Sequence, residues 1–140
     1  RYVFNETGPF STERYFSHID TITSDPVAKA VQYYLFQENQ KTICHGATWG
    51  FVNEALKSSS ILEAPKNGLA ERKAIPAFWV MAGSEAITDN QAAINYSNRM
   101  PNSEIKIYDG AQHQVHMERP EIRDEFYRDI KKFIRNTLSL

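Results

Sequence analysis

The sequence lacks several features that would define its class at once. Cys44 is the single cysteine, so we expect neither a disulfide framework nor a metal cluster built on several thiolates. No apolar run approaches the roughly 20 residues that a bilayer span requires. Basic and acidic residues nearly cancel, with Lys+Arg 16 against Asp+Glu 17, which argues against a nucleic-acid partner. The start of the chain has no signal-peptide design, and because Arg stands at position 1 we expect a piece of a longer protein.

The first 65 residues are rich in aromatic residues and Ser/Thr, and their periodicity is irregular. Asp25 followed by Pro is a typical helix start, with Asp as the N-cap and Pro at the first helical position. Apolar residues follow at helical spacing, which predicts a helix over residues 26–37. Thr48 is placed to cap a second helix. The serine triplet at 58–60 reads as the end of that helix running into a loop.

The second part of the chain alternates between strand and helix patterns. Residues 74–82 form a short, continuous apolar run that predicts a buried strand. A helix is expected to begin at Asp89 or Asn90, and residues 104–108 alternate as a second strand. Pro120 then opens a long amphipathic helix. Strand, helix, strand, helix is the order of an α/β fold with a parallel sheet.

Two polar loops follow the predicted strands, at residues 83–90 and 109–118. The carboxyl ends of parallel strands meet at one edge of a sheet, where α/β proteins bind their ligands. We therefore expect Glu85 and His113 to lie close together. A carboxylate that orients an imidazole supplies two of the three members of a nucleophilic triad. Polar residues occupy such loops in any α/β protein, however, so position alone does not make this pair catalytic.

Two other interpretations of these loops stay open at this point. Ser84 lies between small residues after a strand, which resembles a degenerate nucleophile elbow, but the strict G-x-S-x-G pattern is absent from the chain. The second interpretation is a metal site formed by His113, His116 and Glu118. Their H-x-x-H-x-E spacing differs, however, from the helical H-E-x-x-H of zinc enzymes.

Cys44 and His45 are a further Cys/His pair. Adjacency in sequence does not give the geometry of a nucleophile and its base, and a semi-buried structural thiol is the simpler interpretation.

Three ordered segments resemble one family. Residues 75–90 (IPAFWVMAGSEAITDN) resemble the acid-bearing strand and loop of α/β-hydrolases of the lysophospholipase/monoacylglycerol lipase (serine aminopeptidase-like) group. Residues 107–123 (IYDGAQHQVHMERPEIR) are similar to that group's histidine segment, G-A-x-H-E-apolar-x-x-E-x-x-x-x-R. Residues 44–55 (CHGATWGFVNEA) resemble the segment that leads from cap to core. Within the group, the resemblance to bacterial lysophospholipases is greatest.

The resemblance implies the carboxyl-terminal part of an α/β-hydrolase, with helices on both faces of a parallel sheet. Residues 1–46 would be part of a helical lid and residues 47–140 part of the core. Glu85 would be the triad acid, where Asp is usual in the group, and His113 the general base. Gln114 departs from the Glu that commonly follows the histidine. The nucleophilic Ser, its elbow and the oxyanion hole would lie outside this chain.

By this resemblance the function would be that of a serine hydrolase of acyl esters, and in particular of a lysophospholipase that releases a fatty acid and a glycerophosphodiester. Monoacylglycerol lipase, another esterase, a thioesterase and a peptidase are alternatives, as is a noncatalytic α/β interaction domain. No cofactor or metal is expected. The partners would be a lipid substrate and a membrane surface touched by the lid, in the cytoplasm or on the inner membrane. Cations for an anionic head group are available at Arg14, Lys41 and Arg99.

Two properties of the isolated chain follow from this interpretation. Without a nucleophile in a proper elbow, it should have no esterase activity. Without the strands of the missing half, its sheet should expose a free edge that makes the isolated chain marginal in solution.

Overall fold

The computed structural model describes residues 19–39, 48–63 and 75–138. Its elements in chain order are α1 (Pro26–Glu38), α2 (Trp49–Glu63), β1 (Ala77–Ala82), α3 (Asn90–Ser97), β2 (Ser103–Tyr108), a short 3₁₀ helix (Val115–Met117) and α4 (Pro120–Leu138). Arg14, Lys41, Cys44, His45 and most of the predicted lid lie outside the described residues. None of the helices in the described ranges is long and apolar enough to cross a bilayer.

The two strands form a parallel pair, as the order of sequence patterns predicts. Their register runs from Ala77 opposite Ser103 to Ala82 opposite Tyr108. β1 is shorter than the apolar run that predicts it, since residues 75 and 76 carry no regular structure. Because α3 returns the chain to the starting edge, both strands end at the same side of the sheet.

Helices pack on both faces of the sheet, which confirms the predicted architecture. The ring of Phe78 stacks on Phe133 of α4, with 5.4 Å between the ring centroids. Trp79, the next residue of β1, meets the edge of Tyr96 in α3 at 5.8 Å. Successive side chains of a strand point to opposite faces, so α3 and α4 cover opposite faces.

The buried core lies directly beneath the carboxyl ends of the strands. Its members are Ala82, Tyr108, Ala111 and Val115, against which Ile122 and Phe126 of α4 pack. Burial at these positions fixes the starting points of both loops that follow the strands.

Both α1 and α2 begin where their capping residues predict. The Asp25 carboxylate accepts a hydrogen bond from the Val27 N–H, and α1 runs one residue further than predicted. The Thr48 hydroxyl accepts from the N–H of Phe51 at 3.1 Å.

The predicted end of the second helix is wrong, because the serine triplet lies inside α2. The Ser59 hydroxyl donates to the Ala55 carbonyl at 3.0 Å, and that of Ser60 donates to the Lys57 carbonyl at 2.8 Å. These local hydrogen bonds satisfy the serine hydroxyls within the helix.

Candidate active site

Glu85 lies immediately beyond the turn that ends β1. Its side chain is only 6% exposed. One carboxylate oxygen, Oε1, accepts hydrogen bonds from the backbone N–H groups of Ile87 at 2.7 Å and Thr88 at 3.1 Å. The loop therefore folds around its own carboxylate and holds the side chain in one orientation.

The Glu85 carboxylate contacts the imidazole of His113 in the loop after β2. Nδ1 of His113 lies 2.9 Å from Oε2 and 3.1 Å from Oε1 of Glu85. An ionised carboxylate can only accept, so this contact requires the proton of a neutral imidazole to be on Nδ1. The other nitrogen, Nε2, then carries a lone pair. None of the hydrogen bonds within the described ranges engages Nε2, and the His113 side chain is 32% exposed.

The electrostatics of the loop favour the ionised form of Glu85. Burial of the carboxyl acts to raise its pKa. The hydrogen bond from the Ile87 N–H opposes this, together with those from His113 and the Thr88 N–H and the attraction of the His113 charge. Their sum lowers the pKa of Glu85 to about 2. The site thus presents a carboxylate to the imidazole throughout the neutral range.

Close approach of the two loops depends on Gly83. Its N–H donates to the Tyr108 carbonyl at 2.9 Å, and the N–H of Ser84 donates to the Ala111 carbonyl at 2.8 Å. A Cβ at position 83 would lie 2.8 Å from the Tyr108 carbonyl oxygen and 2.9 Å from the Asp109 Cα. Only glycine allows the backbones to meet here without displacement.

The backbone of the histidine loop is also bonded to the segment that precedes α1. The His113 N–H donates to the Thr21 carbonyl at 3.2 Å, and the Gln114 N–H donates to the Ile22 carbonyl at 2.8 Å. Sequence reasoning missed this contact. The residues involved are about 90 positions apart, and no periodic pattern links them.

The other acids near the histidine have structural tasks of their own. The Asp89 carboxylate caps α3 by accepting from the N–H groups of Gln91 at 2.8 Å and Ala92 at 3.2 Å. Asp109 lies in the turn with Gly110, whose φ is 74°. Of the three candidate acids, Glu85 alone makes a hydrogen bond to His113 in the described part of the chain.

The remaining sequence candidates are not gathered into a second site. Ser84 is exposed, and within the ranges described no hydrogen bond joins its hydroxyl to His113. Glu118 turns inward, and its carboxylate accepts from Ser24 and Gln112. Over the described residues, no group of three or more His, Cys, Asp or Glu side chains is placed to hold a metal ion.

Arg99, the one head-group candidate that the structure describes, holds its guanidinium over the ring of Tyr96, 5.6 Å from the centroid.

An apolar pocket of about 400 Å³ adjoins His113. Its walls come from β1, α4 and the histidine loop, and its lining residues are Phe78, Val80, His113, Val115, His116, Phe126, Ile130 and Phe133. The imidazole of His113 therefore contacts the Glu85 carboxylate and also lines the apolar pocket.

Comparison with known proteins shows the fold to which this geometry belongs. No protein-family model matches the chain, and no curated protein matches it. Its structure is similar to the crystal structure of a soluble variant of monoglyceride lipase from Saccharomyces cerevisiae, in complex with a substrate analog. The TM-score is 0.70 at 18% sequence identity, over 85% of this chain. At that identity the likeness shows the fold, which is that of part of an α/β-hydrolase.

The chain spans 41% of the length of that lipase. The described residues accordingly supply two strands, their flanking helices and two loops of such a fold.

Proposed function

We propose that this chain supplies the acid and the base of a serine hydrolase of acyl esters, with Glu85 as the acid and His113 as the base. The observation that carries the proposal is the 2.9 Å contact between His113 Nδ1 and Glu85 Oε2, which leaves Nε2 open. A triad histidine must keep its own proton on Nδ1, so that Nε2 can accept the proton of the nucleophile.

In the proposed reaction the nucleophile is a serine hydroxyl from outside this sequence. Nε2 of His113 takes the hydroxyl proton while the serine oxygen attacks the ester carbonyl carbon. The imidazolium then gives that proton to the leaving alkoxide, and an acyl-serine ester remains. A water molecule repeats the sequence and releases the fatty acid and the free serine. Glu85 stabilises the imidazolium in both steps.

For the substrate, we propose a lysophospholipid, so that the leaving group is a glycerophosphodiester. Three segments of the sequence resemble the lysophospholipase/monoacylglycerol lipase group, most closely its bacterial lysophospholipases. The structural neighbour is a lipase, and an apolar pocket adjoins His113. A monoacylglycerol is the competing substrate, since the same chemistry serves both esters.

We further propose that α1 belongs to a lid that contacts lipid. Val27, Val31 and Tyr34 lie at i, i+4 and i+7 and are 68%, 52% and 61% exposed. This spacing puts their side chains on one face of the helix. Loss of vesicle binding by the full-length protein when Val27 and Val31 are both replaced by Ser would support the proposal, and unchanged binding would contradict it.

The test uses the full-length protein that contains this sequence. We expect Glu85→Gln to lower kcat on a lysophospholipid by on the order of 10³–10⁴-fold, because Gln can donate to Nδ1 and thereby favours the wrong tautomer. Asp89→Asn is the matched control and should change kcat by less than about threefold, since Asn also caps helices well. Equal losses in the two variants would mean that the acid is wrongly assigned.

Substrate class is tested by comparing lysophospholipid, monoacylglycerol and acyl thioester with one enzyme preparation. A fluorophosphonate probe, which reacts with activated serines, reports on the reaction class independently of the substrate. We expect labelling that His113→Ala abolishes. An absence of labelling in the full-length protein would favour the noncatalytic α/β domain, an alternative that the missing G-x-S-x-G pattern keeps open.

A further inference from the structure

Glu118 is an acidic residue that the proposed reaction does not use, and it is completely buried, with 0% exposure. Its Oε1 accepts from the Ser24 N–H at 2.9 Å and from the Gln112 N–H at 2.8 Å. Its Oε2 accepts from the Ser24 hydroxyl and, at 3.4 Å, from the N–H of Arg119. Both carboxylate oxygens therefore accept hydrogen bonds, and all of their donors are uncharged.

Burial of a carboxylate is energetically unfavourable unless hydrogen bonds or an opposite charge compensate for it. In the described part of the chain no Lys or Arg lies within ion-pair distance of Glu118, so no opposite charge offsets the cost. Its bonds instead join two segments 94 residues apart in sequence. The Thr23 hydroxyl adds a parallel link by donating to the Met117 carbonyl at 2.8 Å.

The bonds of Glu118 act on the backbone next to His113. Three consecutive N–H groups, at residues 112, 113 and 114, donate to the Glu118 carboxylate, the Thr21 carbonyl and the Ile22 carbonyl. The histidine loop and residues 21–24 are thereby bonded as one unit. The imidazole is held at the far end of this unit by Glu85.

We propose that Glu118 is a positioning residue for His113. It fixes the backbone of the histidine loop through Gln112 and ties it to the segment that enters α1, so that Nδ1 stays within reach of the Glu85 carboxylate. The catalytic consequence rests on the proposed function, whereas the positioning itself is a property of this chain and is measurable without turnover.

The experiment compares variants of the full-length, ¹⁵N-labelled protein by nuclear magnetic resonance. Glu118→Leu removes both acceptors and leaves buried N–H groups unpaired. Glu118→Gln keeps Oε1 as an acceptor, and its amide can donate to the Ser24 hydroxyl. Ser24→Ala removes only the hydroxyl contact. Glu121→Gln, at an exposed position in the first turn of α4, is the matched control.

We expect the amide of Gln112 to exchange about 10- to 100-fold faster in Glu118→Leu, from the usual cost of an unpaired buried donor. The hydrogen-bonded Nδ1 proton of His113 should lose its resonance in this variant. Glu118→Gln should restore both signals, and Glu121→Gln should change neither. Backbone amides in β1 should keep their protection from hydrogen exchange in Glu118→Leu, because the loss of the Glu118 carboxylate acts only on the neighbouring loops.

If Glu118→Leu does not fold, Ser24→Ala decides: weakened Gln112 protection with a broadened Nδ1–H signal supports the proposal. A variant that folds with lower stability but keeps the Nδ1–H resonance and Gln112 protection of the native protein would overturn it and make Glu118 a core residue only. In the active enzyme Glu118→Leu and Ser24→Ala should lower kcat with little change in KM, whereas Glu121→Gln should change neither. If the full-length protein is not an esterase, the resonance results still decide the positioning.

Discussion

Replacing Glu85 with Gln tests the physical basis of the site through stability as well as through turnover. In the native loop the carboxylate accepts from the N–H groups of Ile87 and Thr88 and from His113. Gln retains one carbonyl oxygen for the two backbone donors but has no charge. The variant therefore removes the negative charge while it keeps an acceptor for the backbone donors, so the pH dependence of its stability reports on the charge.

The size of that contribution follows from the shift in pKa. The folded loop lowers the pKa of Glu85 from 4.5 to about 2, and each unit of difference corresponds to about 1.4 kcal/mol. The loop is at the surface and its backbone donors are exposed, so solvent screening reduces the effect. We expect Glu85→Gln to lower the free energy of unfolding at pH 7 by about 1–2 kcal/mol.

The pH dependence has a definite sign. Because the pKa of Glu85 is lower in the folded protein, its contribution is fully present above pH 4.5 and is lost as the pH falls toward 2. The difference in unfolding free energy between the native protein and the variant should therefore shrink on acidification. By pH 3 roughly half of it should be gone.

Urea unfolding at pH 7, 5 and 3 measures this difference. Asp89→Asn again serves as the control, because Asn preserves the cap of α3 and should cause a smaller loss of stability at pH 7. If the difference in unfolding free energy between the native protein and Glu85→Gln stays constant from pH 7 to pH 3, the reasoning is refuted. The lost stability would then come from packing and not from the charge.

Three further predictions follow from particular contacts. Gly83→Ala should destabilise the protein by about 1–3 kcal/mol and weaken the contact between Glu85 and His113, because the new Cβ would meet the Tyr108 carbonyl; unfolding curves and the His113 Nδ1–H resonance would show both effects. Burial, and then the hydrogen bond to Asp129 at 3.0 Å, raise the pKa of Tyr108, so in Tyr108→Phe an alkaline absorbance titration should lose a tyrosine that ionises above the ordinary range, at a cost of about 1 kcal/mol. The isolated 140-residue chain should not hydrolyse a p-nitrophenyl ester; turnover that Ser84→Ala abolishes would instead make Ser84 the nucleophile.

The sequence predicts the elements whose signals are local. The apolar run of β1, the alternation of β2 and the caps at Asp25 and Thr48 all lie where the pattern indicates. The contact between Glu85 and His113 also follows from sequence, because parallel strands joined by one helix must end at the same edge. That inference needs only the type and order of elements, and not their exact bounds.

The burial of Glu118 could not be predicted in the same way. Its position in an H-x-x-H-x-E run leaves a metal interpretation open, and only the fold shows that its side chain turns inward to Ser24. The one signal was the cluster of short polar residues at 23–25, which is unusual for positions that become largely buried. Thr23 and Asp25 are 0% and 6% exposed. Polar groups buried at a loop imply donors or acceptors elsewhere, but sequence does not say where.

The distribution of hydrogen bonds explains how a chain with no nucleophile elbow can still hold an ordered carboxylate and imidazole. Each partner has hydrogen bonds besides the contact between them: the N–H groups of Ile87 and Thr88 hold the Glu85 carboxylate, and backbone bonds on either side of His113 hold its loop. In the proposed reaction, preorganisation of this kind would leave little ordering for the moment of proton transfer. A serine delivered by the rest of an α/β-hydrolase would therefore have to meet a single open atom, Nε2 of His113, whose position this chain has already set.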